Sequence, residues 1–217
     1  MTGKTHLAGG FAAGAGLAYA GAAFTELGML LPPTLDVAGL AVPGIVPGLL
    51  ACGIASLLPD IDEPESLIAN SPENMKRRIG RGRAGIDRGA RQSAGMLLTV
   101  LNVITRGLAG FVRLLAGGHR GATHMLLIAA ALTIGMYFLG EAIGFAALWL
   151  WFAVGYLSHL LLDMLTPSGL ALLWPLSRRP LHLLPGPLRI VTGGVGDVVV
   201  RIALLGIGVW VLYRLYM

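Results

Sequence analysis

Four of the chain's five histidines and three of its aspartates sit in short polar clusters that border long apolar runs. His6 opens the first run, and Asp60-Ile61-Asp62 closes the second. The segment His119-Arg120-Gly121-Ala122-Thr123-His124 leads into the next run, and His159 and Asp163 lie near the end of the one after it. His159 and Asp163 are four residues apart. On a helix that spacing puts them on one face, ~6 Å apart along the axis, where both can reach one metal ion or a closely spaced pair. The alternative is a histidine paired with a carboxylate inside a bundle, but ionisable groups at membrane depth are expensive and are mostly functional.

Asp60 and Asp62 share a Pro-Asp-x-Asp turn. Two carboxylates so close are good hard ligands for a divalent cation; the same turn also serves as a plain helix stop with a capping carboxylate. His119 and His124 are five apart and cannot share a helical face. The spacing places His119 in a turn and His124 in the first turn of the next helix, so they approach a common point from different angles. Arg120, always charged and forked, suits phosphate oxygens; its other reading is a cytoplasmic anchor. Thr123 and Ser158 each precede a histidine and read as hydrogen-bonding supports for it, or as small interface residues. His182 reads as a loop histidine.

A mixed His/Asp donor set suits zinc, manganese or iron at a reactive centre better than a structural zinc, which prefers cysteine. Such a centre brings the pKa of water down toward ~7 and supplies a nucleophile, while two ions can clamp a phosphoryl group. Asp62 is either a further ligand or the base that orients water, and Arg120 offsets charge developing on the substrate. Hydrolysis is the simplest chemistry these parts allow.

The elements that must carry these residues are membrane helices. Hydrophobic residues make up 55% of the 217 residues and charged residues 12%, with a mean hydropathy of +0.76. Soluble domains carry about 25% charged residues, so this balance implies an all-α, polytopic helical membrane protein. The 32 glycines agree, because small residues let membrane helices approach closely. One cysteine, Cys52, gives no disulfide framework.

Five spans are expected, near 7–31, 38–58, 125–143, 145–165 and 198–217, in a single membrane-embedded domain over 1–217. Ala18-Tyr19-Ala20 looks like a signal-cleavage site, but the apolar run continues past it, which favours a retained span. Pro43 and Pro47 are expected to kink the second. Residues 65–93 form a basic loop with Lys76, Arg77, Arg78, Arg81, Arg83, Arg88 and Arg91. Thr99, Asn102, Arg106 and Arg113 draw a polar stripe along 94–116, which predicts an amphipathic helix in the interface rather than a span. With these spans, fifteen of the sixteen Lys and Arg residues, all but Arg214, fall on one side. The positive-inside rule makes that side cytoplasmic. The candidate ligands fall at the same face. The net charge of +5 then reflects loops facing anionic lipid; nucleic acid contacting 65–93 is the less favoured partner.

Three blocks, Leu57-Leu58-Pro59-Asp60-Ile61-Asp62, His119 through His124, and Gly155-Tyr156-Leu157-Ser158-His159 with Asp163-Met164-Leu165-Thr166-Pro167-Ser168-Gly169, resemble the signature of the YdjM-like family of inner-membrane proteins described as metal-dependent hydrolases. His6 and Leu173-Trp174-Pro175 fit as well. More distantly, the His-x-x-x-Asp element resembles that of zinc-dependent phospholipase C and P1 nuclease. The resemblance implies an inner-membrane metal hydrolase with His6, Asp60, His119, His124, His159 and Asp163 as ligands to one to three ions, and a phosphoester substrate, lipid or lipid-linked. The basic stretch 65–93 and the last span depart from the family, and Asp197 stands where relatives carry a glutamate. Two rival readings remain: a membrane regulator in which metal only fixes the fold, and a cation or proton-coupled transporter.

Overall fold

The computed structural model describes residues 1–31, 33–37, 40–62 and 122–217. The expected basic loop 65–93, the amphipathic helix 94–116, and His119 and Arg120 lie outside the described residues. The chain divides into two units, one of residues 1–59 with 124–217, the other of residues 60–123. The second is described only at its ends, in the 3-10 turns Leu58–Asp62 and Ala122–His124.

In the first unit, helix α1 (Gly3–Ala23) is rich in alanine and glycine. Alanine favours the helix, and each glycine costs about 1 kcal/mol relative to it. Two of the glycines are kept at contacts: a Cβ on Gly10 would collide with Ser56, and one on Gly14 would press on Cys52. After α1 the chain turns through a short helix, α2 (Thr25–Leu30), into an antiparallel pair. Strand β1 (Thr34–Val37) faces β2 (Leu40–Pro43) in the register Thr34 with Pro43 and Val37 with Leu40.

This corrects the first two expected spans. The run 7–31 is two helices rather than one, and 38–58 contains a strand followed by helix α3 (Ile45–Ala55), only 11 residues long. At 1.5 Å per residue α3 reaches about 16 Å, against the ~30 Å of a hydrocarbon core. The prolines explain the break. Pro43 holds Val42 extended, and Pro47 lies in the first turn of α3, where its missing N–H costs no helical bond. They start a short helix instead of kinking a long one.

Helix α4 (Leu126–Ile143) ends at Gly144, whose φ of 74° is the left-handed conformation glycine takes without strain. Helix α5 (Leu148–Asp163) follows, and α6 (Val195–Tyr216) completes the unit. Among the described residues α4 and α6 are long and apolar enough to cross a membrane. Leu127, Ile134, Phe138 and Ile143 of α4 remain 59–66% exposed, a face that lipid rather than water suits.

Helix α1 packs on α3, α5 and α6, and α5 packs on α1, α3 and α4. Phe152, Tyr156 and Leu160 of α5 form a buried cluster with Ala55, Ala129 and Leu170. Trp151 joins Leu17, Cys52, Phe145 and Ala147 in another. The return from α5 to α6 is tied to the end of α5: Leu183 N–H donates to the Met164 carbonyl at 2.9 Å, and Ile190 N–H to that of Leu165 at 2.9 Å.

Candidate metal centre

The last turns of α5 carry His159 and Asp163, both buried. His159 Nδ1 lies 2.8 Å from the carbonyl oxygen of Ser56, which follows α3. A carbonyl only accepts, so Nδ1 carries the proton and donates it, leaving the Nε2 lone pair to face the interior. That is the arrangement by which metal-ligating histidines are usually oriented.

His159 Nε2 stands 3.3 Å from His124 Nε2 and 3.7 Å from Asp163 Oδ2. His124 Nε2 is 3.5 Å from the same oxygen. From α1, His6 stacks its ring on His159 with centroids 3.6 Å apart and places Nε2 3.3 Å from Asp163 Oδ1. Three imidazoles from three parts of the chain thus converge on one carboxylate. Asp60 stands in the 3-10 turn that follows α3, at the start of the second unit.

These residues fit a metal ion. Tetrahedral zinc with Zn–N bonds of ~2.0–2.1 Å holds its ligand atoms about 3.3–3.4 Å apart, close to the spacing of the His124, His159 and Asp163 atoms.

Of the expected ligands, His6, His124, His159 and Asp163 are therefore brought together within the first unit. His124 closes a 3-10 turn just ahead of α4 instead of lying in its first turn. Asp62 closes the turn that carries Asp60. Thr123 is buried. Ser158 donates to the Gly155 carbonyl of its own helix at 2.7 Å and so does not support His159. His182 is half-buried and has Nε2 3.1 Å from the Pro167 carbonyl, as befits a loop histidine. Asp197 works on α1: its Oδ2 accepts from Thr2 N–H at 3.2 Å and Gly193 N–H at 2.9 Å. Sequence reasoning missed the Ser56 carbonyl, which carries no side-chain signature, and Gly155, which lets α3 and α5 meet. The nearest signal was glycine within an apolar run.

The family described as YdjM inner membrane protein matches residues 1–216. The chain belongs to the YdjM family. YdjM of Escherichia coli (strain K12) and YdjM of Shigella flexneri are each 33% identical to it over 141 residues, covering 60% of this chain and 49% of the relative. The chain spans about half the length of these curated relatives. No solved structure matches it. The family is described as one of inner membrane proteins, with which the two long apolar helices of this chain agree.

Proposed function

We propose that this YdjM-family chain is a metal-dependent hydrolase of a phosphoester, acting on a lipid or lipid-linked phosphate at the cytoplasmic face of the inner membrane. The observation that carries the reading is the convergence of His6, His124 and His159 on Asp163, with His159 held in the ligating tautomer by Ser56. A buried group of this kind is costly to keep unless it holds charge for a purpose. Zinc is the first choice of ion, with manganese and iron the alternatives for the same donors. A bound divalent ion supplies Lewis acidity, bringing the pKa of water toward ~7.

The chain's own residues do the rest. His6, Asp60, His119, His124, His159 and Asp163 hold the ion or ions, one to three in number. Asp62 orients the attacking water, and Arg120 binds the phosphate oxygens bidentately and steadies their charge. Arg178, Arg179 and Arg189 in the return from α5 to α6, against no Lys or Arg in the turn between α4 and α5, support a cytoplasmic placement of that return, and with it a centre at the level of lipid phosphates.

The test is turnover by detergent-purified protein loaded with zinc or manganese, offered phosphatidic acid, a polyprenyl phosphate and single-stranded DNA, with released product measured. Wild type is expected to hydrolyse a lipid phosphoester, Arg120→Gln to lose most turnover while keeping its metal, and Asp163→Asn to lose both. A metal-loaded, folded protein that turns over none of these sinks the hydrolase and favours the regulator. Full activity in an Asp60→Asn, His159→Ala double variant would sink it as well.

A further inference from the structure

On the side of α1 away from the metal centre, α1, α3 and α6 enclose an open groove of about 660 Å³. Its walls are apolar, with Leu7 and Phe11 from α1 and Leu50 and Ile54 from α3, and it carries two cations, Lys4 and Arg201. Leu50 and Ile54 are 62% and 60% exposed, so the groove is open along its length.

The helix directions place both cations at one end. Gly10 meets Ser56 while Gly14 meets Leu49 and Cys52, so α3 runs antiparallel to α1. Asp197 holds Thr2, and Gly208 meets Phe11, so α6 runs parallel to α1. Lys4 and Arg201 therefore share the end at which α1 and α6 begin, and Phe11 lies toward the other. The result is a slot with a cationic head and an apolar shaft, in a protein of the inner membrane.

We infer that this groove binds one anionic phospholipid, its phosphate between Lys4 and Arg201 and an acyl chain along Leu7, Phe11, Leu50 and Ile54. Arginine's fork and lysine's point charge are the usual phosphate partners, and an acyl chain gains by lying on apolar walls that already match it. This lipid is not the substrate. Lys4 and His6 are two residues apart on α1, about 200° around the helix axis, so the phosphate is held on the face opposite the metal centre. Its role is to fix the height of α1, and hence of His6, against the head groups. The inference stands whether or not the centre hydrolyses anything.

The experiment uses full-length protein in phosphatidylcholine vesicles containing one-tenth phosphatidylglycerol whose acyl chain carries a photoactivatable diazirine, with the labelled residues mapped by mass spectrometry. Labelling of the groove is read against labelling of Leu127 and Phe138 on the exposed face of α4, which any lipid reaches. The groove-to-α4 ratio is expected to be about fivefold higher or more for phosphatidylglycerol than for the same probe on phosphatidylcholine, since each of the two cations near the phosphate contributes about fivefold before screening by salt. In Lys4→Gln, Arg201→Gln that preference disappears. Ile54→Trp, which fills the slot and keeps both cations, lowers groove labelling of both probes. An equal ratio for both lipids in wild type overturns the proposal. So does a groove that takes no label while crosslinking to another segment of the chain or to a second copy, which would make the occupant protein.

Discussion

The contact between α3 and α5 couples packing to ligand geometry, and Gly155→Ala tests that coupling. A Cβ at Gly155 would lie 2.8 Å from Cys52 Cα and 2.9 Å from its carbonyl carbon, where ordinary contact begins near 3.4 Å. These atoms, and the Cys52 carbonyl oxygen that the Cβ would meet more closely still, are backbone and cannot rotate away, so the helices must part by at least about 0.6 Å to restore contact. One turn further along each helix stand His159 and Ser56, joined at 2.8 Å. The same parting stretches that bond toward about 3.4 Å, beyond the ~3.2 Å at which an N–H···O bond still counts. Loss of the group that orients a ligating histidine costs about 10–100-fold in metal affinity, and overpacking costs about 1–3 kcal/mol of stability. The assay is a zinc titration with a competing chelator on detergent-purified protein, beside thermal unfolding. Gly16→Ala is the control, because a Cβ there meets nothing within 4 Å. A folded Gly155→Ala that binds zinc within twofold of wild type would refute the coupling.

Elemental analysis of purified protein should find at least one equivalent of zinc, manganese or iron in wild type and a loss of it in His159→Ala; metal retained by that variant removes His159 from the ligands. Asp197→Ala leaves two backbone N–H groups without the acceptor seen here, and should lower stability by about 1–3 kcal/mol, read as a fall in unfolding temperature; an unchanged temperature shows that the carboxylate does not hold α1 to α6. Cys52 is fully buried, so a maleimide should label it only after denaturation, and rapid labelling of the folded protein would contradict the packing of α3. Spin labels at Leu127 and Phe138 should be accessible to a lipid-soluble quencher and shielded from a water-soluble one; the reverse would take α4 out of the bilayer.

What could be read ahead of the fold followed from local spacing. The i, i+4 relation of His159 and Asp163 survives as a pair 3.7 Å apart, because four residues on a helix share a face whatever surrounds them. His6 had no such neighbour in the chain; its place at the edge of the first apolar run and the family resemblance selected it, and its stacking on His159 depends on how α1 meets α5. The second span was misjudged because a hydropathy run registers the apolar character of residues 38–58 but not where Pro43 and Pro47 let a helix begin. Ser56 was invisible for a different reason. Its contribution is a backbone carbonyl freed by the end of α3, a property of a helix terminus rather than of a residue type.

The contact between Met1 and Asp163 spans 162 positions, and that between Thr2 and Asp197 spans 195. During synthesis α1 therefore leaves the ribosome long before the helices it packs against. Chains stalled short of α5 should capture no zinc, and α1, with Gly10 and Gly14 uncovered, must wait for the rest of the bundle. On the proposed reading, metal binding would report that α5 has reached α1.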